Sequence, residues 1–283
     1  MLSKERIRAI TFSILKQFKD PFYNGFAATL GFYFMLSVVP MMILLSQLLG
    51  LFSLSMQFLE MWITQYITGE AVDIITSLVH FVPSTGTNIL FTVMALWAAS
   101  RAQFAMMRLT NYTYSEGRKM GKGFWRDRMR AVVTIAFTLF ALTFALVIIV
   151  YGEMILKIVI SWFAFNREIA YELNRMWFIV RWPLTVFLYL FMVSYNYYIL
   201  PMDRKKFRDI LPGAVFASVG MFLATTIFRL YANNTANYDI IYGALATVVV
   251  IMIWFYILAW FLGVGVMFNK AWDDTKHMAN KRR

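Results

Sequence analysis

Apolar residues in this chain come in long unbroken runs. Their length is the signal, because a helix needs roughly 20 apolar residues to cross a bilayer. Such runs stand at about Phe26 to Phe52, Asn88 to Thr110, Ala131 to Gly152, Met176 to Leu200, Ile210 to Tyr231 and Ile240 to Phe268. In lipid, a segment must satisfy its backbone hydrogen bonds internally, and a helix does so. Strands of a membrane barrel alternate polar and apolar positions; these runs do not. The pattern predicts an all-α, polytopic membrane protein with six transmembrane helices. Pro40 falls inside the first span, where a missing backbone donor predicts a kink.

The segments between the runs have patterns of their own. From Ser53 to Thr68, Gln57, Glu60 and Thr64 share one helical face, with Phe58, Leu59, Trp62 and Ile63 elsewhere. From Glu70 to Phe81, Glu70, Asp73, Ser77 and His80 lie opposite Ile74, Ile75, Leu78 and Val79. Both predict short amphipathic interfacial helices on the outer side, broken near Gly69; a re-entrant hairpin is the alternative. Asn166 to Arg175 predicts a third. Residues 1–25 form a basic, amphipathic cytoplasmic segment, 26–269 a single membrane domain, and 270–283 a basic cytoplasmic tail. The first apolar run is too long for a signal-peptide core and lacks a cleavage site, so Met1 is expected to begin the mature chain.

Charge fixes the orientation. The net charge is +12, which in a soluble chain would raise nucleic-acid binding. Here its distribution argues otherwise. Of 27 Lys and Arg, 20 lie in alternate segments: the N-terminus, the loop holding Arg118, Lys119, Lys122, Arg126, Arg128 and Arg130, the loop from Arg204 to Arg208, and the tail. The opposite segments hold 3, namely Lys157, Arg167 and Arg175. An even number of spans places both termini on the basic side, which is the cytoplasm by the positive-inside rule.

Candidate chemistry is sparse. Arginines inside the spans are costly, about 2.5–3.5 kcal/mol each at mid-bilayer, and mark protein or water-facing sites. Arg101 and Arg108, seven residues apart, share a helical face with Ser100 and Gln103 nearby. They predict a basic groove for an anionic head group, which guanidinium binds as a fork. Snorkelling to the interface is the competing reading for Arg108. Arg181 and Arg229 read as interface anchors, with Asp239 a partner for Arg229. No span carries a mid-membrane carboxylate of the kind a proton relay uses. The two histidines, His80 and His277, fall on opposite predicted sides, so no metal site and no cofactor are expected. No phosphate loop of the Walker type occurs. Aromatic stripes such as Trp254, Phe255, Tyr256 and Trp260 read as packing, and Gly213, Gly220, Gly263 and Gly265 as close helix contacts.

Several motifs fall in a familiar order. Ala27, Ala28, Leu30, Tyr33, Phe34, Ser37 and Pro40 with the aliphatic run to Gly50 form the first. Ser100, Asn111 and Tyr114 with the basic loop to Arg130 form the second. Pro201 and Leu211–Pro212–Gly213–Ala214 form the third; Phe228, Tyr231, Tyr242–Gly243, Ala244, Trp254, Gly263 and Asn269 form the fourth. Together they resemble the YihY/virulence factor BrkB family, once labelled ribonuclease BN. The resemblance implies a bacterial inner-membrane protein with six spans. The family's ribonuclease label is regarded as a misassignment. Some relatives are linked to serum resistance and to export of a lipid A precursor, which points by analogy to movement of lipids or amphiphiles.

The expectation is a transporter, flippase-like or export protein for an anionic lipid or amphiphile, and not an enzyme. Arg101, Arg108 and the basic loop would attract the head group. Tyr33, Ser37, Asn111, Tyr114, Asp239 and Tyr242 would line or gate the path; Pro40, Gly213, Gly243 and Gly263 would supply kink and packing. The expected partners are membrane lipids and no nucleic acid, with a homo-oligomer left open. A non-transporting envelope scaffold and a small-anion channel stay open as alternatives.

Overall fold

Seven α-helices follow from these apolar runs and their flanks in a computed structural model that describes residues 4–51, 88–162, 167–203, 205–234 and 244–276. They are α1 (Lys4–Phe18), α2 (Pro21–Leu51), α3 (Asn88–Tyr114), α4 (Phe124–Trp162), α5 (Arg167–Ile199), α6 (Phe207–Asn234) and α7 (Ala244–Asp274). No strand occurs among the described residues. The described residues form an all-helical fold. Among the described residues, four stretches are long and apolar enough to cross a membrane: Pro21–Leu45, Phe124–Ala145, Phe207–Phe228 and Val248–Asp274. The helices α3 and α5 have 27 and 33 residues, which is length enough, but Arg101 and Arg108 interrupt the first, and Glu172 and Arg175 the second. Among the described residues of α5, the apolar stretch is the shorter Val186–Ile199.

One expectation needs adjustment. Residues 167–175 are not a separate interfacial helix: they are the opening turns of α5, which continues from them to Ile199. The helix α2 continues through Pro40. The segments 53–68 and 70–81, with Asp239, Tyr242, Gly243, His80 and His277, lie outside the described residues, as do the side chains of Arg181 and Arg229.

The chain forms two compact units. The first comprises Met1–Val38, Trp97–Ile135 and Val193–Arg283; the second comprises Val39–Leu96 and Ala136–Met192. In the second, the Thr92 hydroxyl donates to Gln47 Oε1 at 2.9 Å, and Gly152 packs directly under the Trp177 ring.

In the first unit, α6 and α7 pack along a seam of small residues. Lipid tails are as apolar as leucine, so helix association in a membrane depends on close packing and hydrogen bonds. Ala214, Ala217 and Ala259 are fully buried. The backbone amide of Gly213 donates to Asn269 Oδ1 at 2.7 Å. The Tyr197 hydroxyl of α5 donates to the Leu262 carbonyl at 2.7 Å, joining a third helix to the seam. Gly263 is in ordinary contact with Phe26 of α2, 3.5 Å from where its Cβ would stand. Several threonine hydroxyls within the helices bond back to the carbonyl four residues earlier, as Thr110 does to Met106 (2.7 Å) and Thr143 to Leu139 (2.8 Å), which satisfies them without water.

The helix α1 is tied to the end of α7. Arg6, buried, lies 4.0 Å over the Trp272 ring and donates to the Trp272 carbonyl at 3.3 Å and to Thr275 Oγ1 at 3.4 Å. A buried cation–π contact and two hydrogen bonds are each worth about 1 kcal/mol. Arg6→Ala is expected to cost about 1–3 kcal/mol of stability. Limited proteolysis of the purified chain checks this, with cleavage between α1 and α2 accelerated in the variant.

Candidate functional site: an arginine cleft

The helices α2, α3 and α4 enclose a cleft of about 510 Å³ in the first unit. The α2 wall is Phe22, Gly25, Phe26, Thr29 and Tyr33, a stripe at helical spacing. The α3 wall is Trp97, Arg101, Phe104, Ala105 and Arg108, and the first turns of α4 add Phe124 and Arg128. A Cβ on Gly25 would meet nothing within 4 Å, so the glycine keeps this wall open.

Three guanidiniums therefore line one space. Arg101 and Arg108 are exposed, and Arg108 Nη2 reaches Met120 Sδ at 3.0 Å. Arg128 is different: it is 5% exposed and fixed. Its Nη2 donates to the Trp97 carbonyl at 2.6 Å. Its guanidinium lies 4.5 Å from the Trp97 ring centroid and 5.7 Å from that of Phe104. Phe104 meets Phe124 edge-on at 5.8 Å, closing the aromatic surround. Arg101 and Arg128 are near enough to repel each other.

The neighbouring carboxylates are engaged elsewhere. Asp127 is buried beside Arg128 in sequence, yet its Oδ2 accepts the backbone amides of Lys122 (2.8 Å) and Gly123 (3.3 Å). Asp20 accepts the Phe22 amide at 2.9 Å and the Tyr112 hydroxyl at 2.7 Å. Glu116 pairs with Lys270 and Arg118. Among the described residues, no carboxylate pairs with Arg101, Arg108 or Arg128, and none lines the cleft.

The α3–α4 connection sets α4 in place. The helix α3 ends in a Schellman turn: Gly117 N bonds Tyr112 O at 2.9 Å, and Glu116, with φ 56°, takes the left-handed position. Gly121 leaves no room for a Cβ against the Asp127 carboxylate. Asn111 fastens this loop to another, since Nδ2 donates to the Met120 carbonyl at 3.2 Å while Oδ1 accepts the Met202 amide at 2.7 Å.

Of the residues singled out from sequence, Tyr33, Arg101 and Arg108 line the cleft together. Ser37 is fully buried and does not line it; its hydroxyl donates to the Tyr33 carbonyl at 2.6 Å and also faces that of Ala99 at 3.4 Å. Asn111 is the buried loop fastener just described. Tyr114 stands by the α5–α6 loop, with Lys205 Nζ 5.2 Å from its ring centroid. Burial, then the carboxylates of Asp273, Asp209 and Asp274, push its hydroxyl well above the usual phenol range. Arg128, Trp97 and Phe104 were not singled out. Arg128 reads as one of six loop charges, although its spacing from Phe124 and that of Trp97 from Arg101 are each one helical turn.

Comparison with known proteins follows the same lines. The model of the Virulence factor BrkB family matches residues 14–283. A ribonuclease-like protein, YfkH of Bacillus subtilis, is 28% identical over 268 residues, covering 90% of this chain and 92% of that one. A UPF0761 membrane protein of Vibrio campbellii is 24% identical over 276 residues, 94% of this chain and 83% of its own. One from Psychromonas ingrahamii is 40% identical, but over 60 residues, 21% of this chain and 20% of its own. No solved structure matches the chain. With helices suited to a bilayer and a family match over nearly all its length, the chain is a membrane protein of the Virulence factor BrkB family.

Proposed function

We propose that this protein moves an anionic lipid or amphiphile across the bacterial inner membrane, with the head group held in the arginine cleft. The observation that carries this reading is three cleft arginines without a lining carboxylate. Uncompensated cations beside lipid are unfavourable unless an anion joins them. Aromatic walls suit the boundary between head group and tail.

The topology fits this use. Under the reading, α2 to α7 cross the bilayer six times. Each has at least 27 residues, roughly 40 Å of helix against a hydrocarbon core of about 30 Å. The cleft is built from the start of α2, the later half of α3 and the start of α4, all next to basic segments. Positive segments inside then set the cleft at the cytoplasmic leaflet with both termini in the cytoplasm.

The name of YfkH offers RNA cleavage as a second reading. The cleft lining supports binding over cleavage, because among the described residues it presents guanidiniums and a phenol but no histidine or carboxylate to take a proton at neutral pH. The test uses the full chain in liposomes carrying a trace of fluorescent phosphatidylglycerol in the inner and outer leaflets. A membrane-impermeant quencher should bleach nearly all the label in protein-containing vesicles and about half in empty ones. Bleaching equal to that of empty vesicles for this and other anionic lipids would overturn the reading.

A further inference from the structure

The cleft's charge goes beyond what one negative charge can neutralise. Arg101, Arg108 and Arg128 bring three positive charges, with Arg128 buried and unable to turn out to solvent. Asp127, the carboxylate next to it in sequence, is turned to the backbone of Lys122 and Gly123. Arg101 and Arg128 repel across the space between them. A phosphodiester carries one negative charge on two free oxygens. A phosphomonoester carries between one and a half and two charges near neutral pH, on three oxygens. Three guanidinium charges, two of them on exposed side chains, are matched more nearly by the second and under-used by the first.

We infer that the cleft selects a phosphomonoester dianion over a phosphodiester. The inference rests on the anion-binding reading above and names its substrate class. One consequence is a pH dependence that belongs to the ligand. Among the described residues, the charged and titratable groups facing the site are Tyr33 from α2, Arg101 and Arg108 from α3, and Arg128 from α4, with no histidine or carboxylate in its lining. The phosphomonoester gains its second charge near pH 6. Its advantage is therefore present above that pH and lost below it, while a diester stays singly charged throughout.

Binding to the full chain in neutral detergent tests this by calorimetry, with dioctanoyl phosphatidic acid as the monoester and dioctanoyl phosphatidylglycerol as the diester. At about pH 8 the monoester should bind at least about tenfold more tightly, and the ratio should fall to about threefold or less at about pH 5. The double variant Arg101→Gln, Arg108→Gln removes two exposed side chains and should bring the pH 8 ratio close to one. Equal binding of the two lipids at pH 8 overturns the inference while leaving an anion site. Binding of neither removes the anion-site reading itself. Glycerol 3-phosphate distinguishes the source of the phosphate: if it displaces phosphatidic acid at equal concentration, selection for the monoester stands and the amphiphile falls.

Discussion

Arg101→Gln should slow the movement of labelled anionic lipid through reconstituted vesicles by about a hundredfold, with the fold intact. The size follows from losing one bidentate, charge-assisted contact to the anion, worth about 1.5–3 kcal/mol, together with the steering charge. The selectivity of the effect follows from the structure. Arg101 is exposed, and among the described residues no hydrogen bond or ion pair from it holds neighbouring helices. Exposed positions without partners usually shift stability by no more than about 0.5 kcal/mol. Elution volume and helix content should therefore match the wild type. Arg128 gives the contrast, since its removal strips the Trp97 carbonyl of a 2.6 Å donor and empties an aromatic pocket. Wild-type movement in the Arg101 variant would take the cleft out of the transport path.

Gly213→Ala is expected to break the α6–α7 seam, at a cost of about 3 kcal/mol or more. An added Cβ would overlap the Gly265 carbonyl oxygen and stand 2.5 Å from Asn269 Oδ1. The first of these is backbone on the facing helix, so no rotamer change relieves it. The helices must separate, and then the Gly213 amide loses its 2.7 Å bond to Asn269. Overpacking in a tight core costs about 1–3 kcal/mol, and a buried polar group left without its partner about as much again. Gly265 is caught in the same seam, between the Tyr197 hydroxyl and the Gly213 carbonyl. Thermal denaturation of the purified variant in detergent checks this; a midpoint equal to wild type would show that the seam opens freely.

The fold class was legible because apolar run length is a direct reading of solvent. Each predicted span overlaps one described helix, and α4 extends well past both ends of its span because its flanks keep a helical pattern with polar residues. The count of bilayer crossings is harder to read. In α3 the arginines that make the site interesting are the residues that dilute its apolar character. In the cleft, Arg101 and Arg108 stood out because charge is rare in a span. Arg128 did not, because a loop rich in cations gives no reason to choose one. What distinguishes it is tertiary: the ring of Trp97, 31 positions away, and the carbonyl of the same residue. Ser37 and Asn111 show the converse. Polar residues on a motif suggest a lining, yet here each is turned into the backbone, where a buried polar group is most easily satisfied.

The fixed position of Arg128 has an electrical consequence. A cation pinned to a backbone carbonyl stays behind when the anion departs, so the cargo would carry its charge across alone. Each such charge is worth about 2.3 kcal/mol per 100 mV of membrane potential. In a cell that is negative inside, an anion leaving a cytoplasm-facing cleft for the outer leaflet runs downhill, and the return is uphill. Under the proposed function, voltage would then favour one direction of movement.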